Sequence, residues 1–133
     1  MMNDTKKYPV PHSEVKEILH HINSGDVLDL GCGKGRNSIF LCQAGFNVTA
    51  LDISEPSIQH LKKIIASDKQ CKNIKAEIYD IETATISHHY DMIISTVVLQ
   101  FLNSICIRKV IANIQNQTKI EGINLIVAPI STI

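Results

Sequence analysis

The chain predicts an α/β fold: a parallel sheet of five strands with helices flanking it. Three observations carry this. Short apolar runs recur at residues 27–30, 47–52, 74–79, 91–96 and 123–128. Amphipathic helical stretches lie between most of them, the alternation of βαβ units with right-handed crossovers. Glycines at alternate positions, Gly31, Gly33 and Gly35, follow the first run directly and open the next helix.

Each element has its own local reason. Ser13 can cap a helix whose stripe is Val15, Ile18, Leu19 and Ile22, spaced for one helical face. Asn23-Ser24-Gly25-Asp26 breaks it before the first strand, 27–30. The helix after the glycine loop runs to about Ala44, with Gly45 as a left-handed stop. The second strand, 47–52, ends at Asp52. Ser54 caps the following helix, Pro56 lies in its first turn, and Ile53 and Ile58 occupy the two positions of a hydrophobic staple. Polar residues from Ser67 to Asn73 read as a loop. The third strand, 74–79, leads to Asp80, and the fourth is 91–96. A last helix presents Ile107, Val110, Ile111 and Ile114 on one face. Gly122 ends that connection before the fifth strand, which closes at Ala128. The 133 residues contain no internal repeat and read as one domain.

Composition excludes several classes. Thirteen basic side chains balance thirteen acidic ones, so there is no electrostatic footprint for nucleic acid or an anionic membrane surface. No apolar run approaches the ~20 residues of a membrane span, and the first seven residues lack a signal-peptide core. Cys32, Cys42, Cys71 and Cys106 have neither C-x-x-C nor zinc spacing, which suits reduced cysteines in a cytoplasmic chain. The doublets His20-His21 and His88-His89 lack the spacing that sets two metal ligands on one helical face. No metal is expected.

The glycine loop lets a ligand lie against backbone, at the sheet end where open α/β folds bind. A dinucleotide fingerprint needs glycine at residue 36, which is Arg36. A phosphate loop needs glycine at residue 28, which is Leu28, and a hydroxyl residue after the lysine, where Gly35 stands. What remains is acid-x-Gly-x-Gly-x-Gly, from Asp29 to Gly35. Asp52, roughly 20 residues beyond the loop, sits where a ribose-binding acid is expected. A carboxylate only accepts hydrogen bonds, so it suits a vicinal diol. The plain alternative for Asp52 is a helix cap, a role Ser54 fills better.

That pattern resembles the cofactor loop of class I S-adenosylmethionine methyltransferases, whose sheet is Rossmann-like. The stretch Leu28-Asp29-Leu30-Gly31-Cys32-Gly33-Lys34-Gly35-Arg36-Asn37-Ser38 narrows the resemblance to the tellurite-resistance (TehB) family. So do Asp91 through Leu102, Asn124 through Ala128, and His12-Ser13-Glu14-Val15. The resemblance implies S-adenosylmethionine as cofactor. Asp29 would hold the methionyl amino group, Gly31, Gly33 and Gly35 would form the cradle, and Arg36 would meet the methionyl carboxylate or an oxyanion. Asp52 and Ile53 would border the ribose and base, Asp80 would take the adenine amino group, Ile81 would pack on the base, and Ser95 and Thr96 would lie beneath the sulfonium. The implied acceptor is small: tellurite, selenite or a thiol.

The resemblance departs at the end. The family continues past its fifth strand with two more strands, whereas this sequence stops at Ile133. Glu121-Gly122 also stands where such enzymes usually carry Gly-Gly. The expectation is a sheet lacking its last two strands, with an exposed fifth strand able to self-associate. A SAM-binding remnant without the substrate side is the alternative expectation.

Overall fold

The computed structural model describes residues 8–96 and 103–127. The expected Ala128 end of the last strand and the 97–102 part of the family resemblance lie outside the described residues. Five strands, β1 (Asp26–Leu30), β2 (Asn47–Asp52), β3 (Ile74–Ile78), β4 (Tyr90–Ser95) and β5 (Thr118–Ile126), form one parallel sheet in the order β3-β2-β1-β4-β5. The helices are α1 (Ser13–Ile18), α2 (Arg36–Gln43), α3 (Glu55–Ser67) and α4 (Ser104–Gln117).

Strand alternation divides the core into two layers. Val27, Met92 and Ile94 face one way, onto Ile39 and Leu41 of α2 and Ile58 and Leu61 of α3. Leu28, Leu30 and Ile93 face the other way, onto Val110 and Ile114 of α4. The central strands are therefore buried on both faces, as parallel strands require. Helix α2 ends as Gly45 implied. Gly45 has φ +106°, its N–H donates to Cys42 O, and the Phe46 N–H donates to Leu41 O. This double bond pattern is a Schellman stop, and it drives Phe46 fully into the core.

Several local expectations are corrected. Helix α1 is capped by His12, whose Nδ1 accepts from the Glu14 N–H at 3.1 Å, and Ser13 is already its first helical residue. It ends at Ile18, one turn before Ile22, because His20 through Gly25 are weak helix formers. Ser54 does cap α3, accepting from the Ser57 N–H, but Ile53 is 65% exposed and does not staple onto buried Ile58. The stretch read as a loop after α3 contains a short 3-10 turn, Lys69–Cys71, that buries Cys71.

The fifth strand differs most. It starts at Thr118, directly after α4, not at Ile123. Tyr90 pairs with Thr118 and Met92 with Ile123, so two steps along β4 oppose five along β5 and the surplus forms a bulge. Glu121 holds φ +67° in this bulge, the left-handed region where glycine would be relaxed. β5 is an edge of the described sheet. Ile123, Leu125 and Ile126 are half-buried, while Ile120 is 96% exposed.

Candidate functional site

The loop between β1 and α2 is stitched to the end of β2. The Gly31 and Cys32 N–H groups both donate to Leu51 O, at 2.8 and 2.9 Å. The Gly33 N–H donates to Asp52 Oδ2 at 2.7 Å, and Asp52 Oδ1 accepts from the Ser54 N–H at 2.8 Å. Asp52 thus ties the glycine loop to the start of α3. Each oxygen keeps a second lone pair for another donor.

The glycines divide by role. A Cβ on Gly33, at φ +56°, would meet nothing within 4 Å, so this face of the loop is open for a ligand. A Cβ on Gly35, at φ +93°, would stand 2.6 Å from Leu61 Cδ1. Gly35 is therefore the close-packing position between loop and α3, and its side-chain face looks away from the open side.

Asp29 lies beneath the loop with no exposed surface. Its Oδ2 accepts from Ser38 Oγ at 2.6 Å, while its Oδ1 finds no hydrogen-bond partner among the described residues. Desolvation pushes its carboxyl up to about 6, with Asp52 adding to the rise and the Ser38 hydrogen bond and Arg36 opposing it. A buried carboxylate oxygen without a donor suits a cationic N–H group. Beside it, α2 begins at Arg36 after the cap residue Gly35, which has no side chain; the Ser38 N–H acts on Asp29, while those of Arg36 and Asn37 stay open to a negative group. Acceptor and donor ends adjoin through Ser38, the third residue of α2.

A cavity of about 590 Å³ opens against this loop. Gly31, Gly33, Arg36 and Thr96 line it, joined by Asn37, Lys34 and His60. Its far wall is Tyr8 and Pro9. That segment is fastened at both ends: the Tyr8 hydroxyl donates to Asp68 Oδ2, and the His12 N–H donates to Asn37 Oδ1 at 2.8 Å. Asn37 also reaches Thr96 Oγ1 through Nδ2 at 3.5 Å. Burial pushes the Cys32 thiol up, so it stays protonated and is no nucleophile.

The remaining expected residues lie outside this cavity. Exposed Ile53 follows Asp52 directly. Asp80 Oδ1 accepts from the Glu82 N–H at 2.9 Å in a turn after β3. Ile81 packs toward the α4 layer and lines a separate cavity of about 470 Å³. Ser95, two residues beyond Ile93, shares the α4 side; its buried Oγ has no partner among the described residues. Tyr8, Ser38, Asn37 and His60 were not singled out as site residues. For Asn37 and Ser38 a signal existed: polar side chains in the first turn of a helix whose next residues are apolar. Tyr8 and His60 arrive through the fold alone. Among the described residues, no group of three or more His, Cys, Asp or Glu side chains could hold a metal ion. Nor is any helix there long and apolar enough to cross a membrane.

A model of the family described as tellurite resistance protein TehB matches residues 3–133. A Haemophilus influenzae protein described as "Probable S-adenosyl-L-methionine-dependent methyltransferase TehB" is 43% identical over 130 residues, covering 96% of this chain and 45% of its own length. The chain thus spans less than half of that relative. The crystal structure of TehB from Haemophilus influenzae superposes with a TM-score of 0.84 at 38% identity, over 92% of this chain and 42% of that one. The glycopeptide N-methyltransferase MtfA, solved with S-adenosylmethionine, shares the fold at a TM-score of 0.77 and 20% identity, over 94% of this chain and 52% of that one.

Proposed function

The chain belongs to the TehB tellurite-resistance protein family, and on that premise we propose that it is a methyltransferase domain that binds S-adenosylmethionine at the glycine loop. The observation that carries this reading is the pairing of Asp29 with the start of α2. A buried acceptor without a donor adjoins an uncapped helix N-terminus. Together they match the ammonium and carboxylate of an amino-acid head group, which a nicotinamide dinucleotide lacks.

The cofactor supplies an electrophilic methyl group on a sulfonium centre. The chain's own residues bind and orient. Asp29 Oδ1 takes the ammonium, while Arg36 and the first N–H groups of α2 take the carboxylate. Gly31 and Gly33 admit close approach, and Gly35 holds α2 against α3. Asp52 accepts from the ribose hydroxyls with its free lone pairs. Exposed Ile53 gives the base an apolar face, and Asp80 accepts from its amino group. Ile81 supports that side from the α4 layer, and Thr96 closes the floor at the end of β4, with Ser95 behind it on the α4 side of the sheet. Residues 1–133 form one cofactor-binding unit. The acceptor is a small soft nucleophile: a tellurium or selenium oxyanion, or a thiolate. Such an acceptor needs alignment and exclusion of water more than a general base, which fits a cavity whose described lining holds no paired acid and base. The free, mostly buried cysteines fit a reducing compartment, and β5 offers an edge for self-association.

Titration calorimetry with S-adenosylhomocysteine, S-adenosylmethionine and NAD tests the reading. The adenosyl compounds should bind and NAD should be silent. NAD binding with both adenosyl ligands silent would overturn it. Sedimentation at several concentrations tests the edge: a concentration-independent monomer would remove self-association.

A further inference from the structure

The cavity at the glycine loop gathers two basic side chains and a histidine at its rim, although the chain overall balances 13 basic against 13 acidic groups. Lys34, Arg36 and His60 reach it from the loop, the first turn of α2 and the first half of α3. No carboxylate is among its described lining residues. None of the three forms an ion pair among the described residues. The two nearby acids, Asp52 and Asp29, lie at the loop behind the lining and are assigned to the cofactor in the reading above. Asp52 accepts from the Gly33 and Ser54 N–H groups, and Asp29 is buried under Ser38.

The charges can then be assigned one by one, resting on the cofactor reading above. Arg36 and the α2 N-terminus meet the cofactor carboxylate, and Asp29 meets its ammonium. Lys34 is left without a counter-charge, and the His60 ring without a hydrogen-bond partner among the described residues, in a site that also receives a sulfonium cation. An exposed cationic rim of this kind raises the local concentration of anions and repels cations. It acts on encounter and affinity more than on the chemical step. We propose that Lys34 and His60 are specificity-determining residues that recruit an anionic acceptor to the mouth of this cavity. Lys34 contributes a mobile point charge and three donors. His60 contributes a ring N–H donor from a fixed helix position.

The test titrates sodium selenate, an inert oxyanion, into the full chain with and without saturating S-adenosylhomocysteine, at low salt. Selenate should bind the loaded chain without displacing the nucleoside. The double variant Lys34→Gln, His60→Gln should weaken selenate about tenfold, because it removes charge-assisted donors. Both side chains are exposed, so the variant should fold and keep its S-adenosylhomocysteine affinity. Unchanged selenate affinity in the variant overturns the inference, as does no selenate binding to the loaded wild type. Competition between selenate and S-adenosylhomocysteine also overturns it, since the anion would then occupy the carboxylate position. A chain silent to S-adenosylhomocysteine whose selenate binding still depends on Lys34 and His60 would sink the cofactor reading and leave the anion site standing.

Discussion

The buried carboxyl of Asp29 makes the empty fold sensitive to pH in a direction opposite to that of most acids. Its carboxyl rises from 3.8 to about 6 in the fold, chiefly by desolvation. The folded chain therefore holds this proton more tightly than the unfolded chain does. Stability from this group is complete below pH 3.8 and is lost as pH rises toward about 6. At 1.36 kcal/mol per pKa unit, the loss is about 3 kcal/mol at neutral pH. The domain's whole stability is only ~5–15 kcal/mol. Asp29→Asn removes the titration but keeps an oxygen for Ser38. The amide also adds a pH-independent cost, so the informative quantity is how the variant's difference from wild type changes with pH. That difference should move by about 3 kcal/mol in the variant's favour between about pH 3 and pH 7, a shift of roughly 10 °C in relative melting temperature. Urea unfolding of both chains across that range reads it. Saturating S-adenosylhomocysteine should shrink the shift, because its ammonium gives Oδ1 a partner, and the variant should bind the ligand at least about tenfold more weakly. A difference that is flat with pH, or that moves in favour of the wild type as pH rises, would refute the claim that Asp29 is ionised with its Oδ1 unpartnered in the empty fold.

Three further outcomes follow from the same geometry. Asp52→Asn should weaken S-adenosylhomocysteine by about tenfold or more in calorimetry, since a charge-assisted bond contributes ~1.5–3 kcal/mol; unchanged affinity would make Asp52 only the tie between loop and α3. Gly35→Ala should cost about 1–3 kcal/mol in urea unfolding, because its Cβ meets Leu61, while Gly33→Ala should cost stability less and ligand affinity more. Glu121→Gly should raise stability by about 1–2 kcal/mol, the cost of a left-handed L-residue, and a loss on thermal unfolding would show that the Glu121 side chain anchors the bulge.

What was legible in the sequence was what local chemistry decides. β1, β2 and β4 are buried on both faces, so their apolar runs mark them directly. The glycine spacing marked the loop, and Gly45 marked the α2 stop to within a residue. Asp52 was placed beside the loop by counting, yet its two backbone partners, Gly33 and Ser54, could not be counted out. The misreadings fall where packing overrides pattern. Ile53 follows the staple rule on paper, but its neighbour Asp52 is held by the loop and turns the chain so that Ile53 faces solvent. The start of β5 was invisible because Thr118 through Glu121 alternate no apolar face; pairing with Tyr90 alone makes that stretch a strand. Tyr8 and His60 are 52 residues apart and meet at the cavity because the Tyr8 hydroxyl is held by Asp68 at the end of α3, the helix that carries His60.

Gly122 has a consequence for how faithfully the edge strand is threaded. A Cβ there would stand 2.7 Å from Lys119 O and 2.8 Å from Asp91 O. The slot against β4 therefore accepts one kind of residue, and among residues 103–127 Gly122 is the sole glycine. Sliding β5 by one or two positions would push a side chain into the Asp91 carbonyl. Most strands keep register through an alternating apolar face, which the first half of β5 does not have. Here a single backbone notch acts as a detent, so the errors it suppresses are slipped pairings during folding, before any ligand is present.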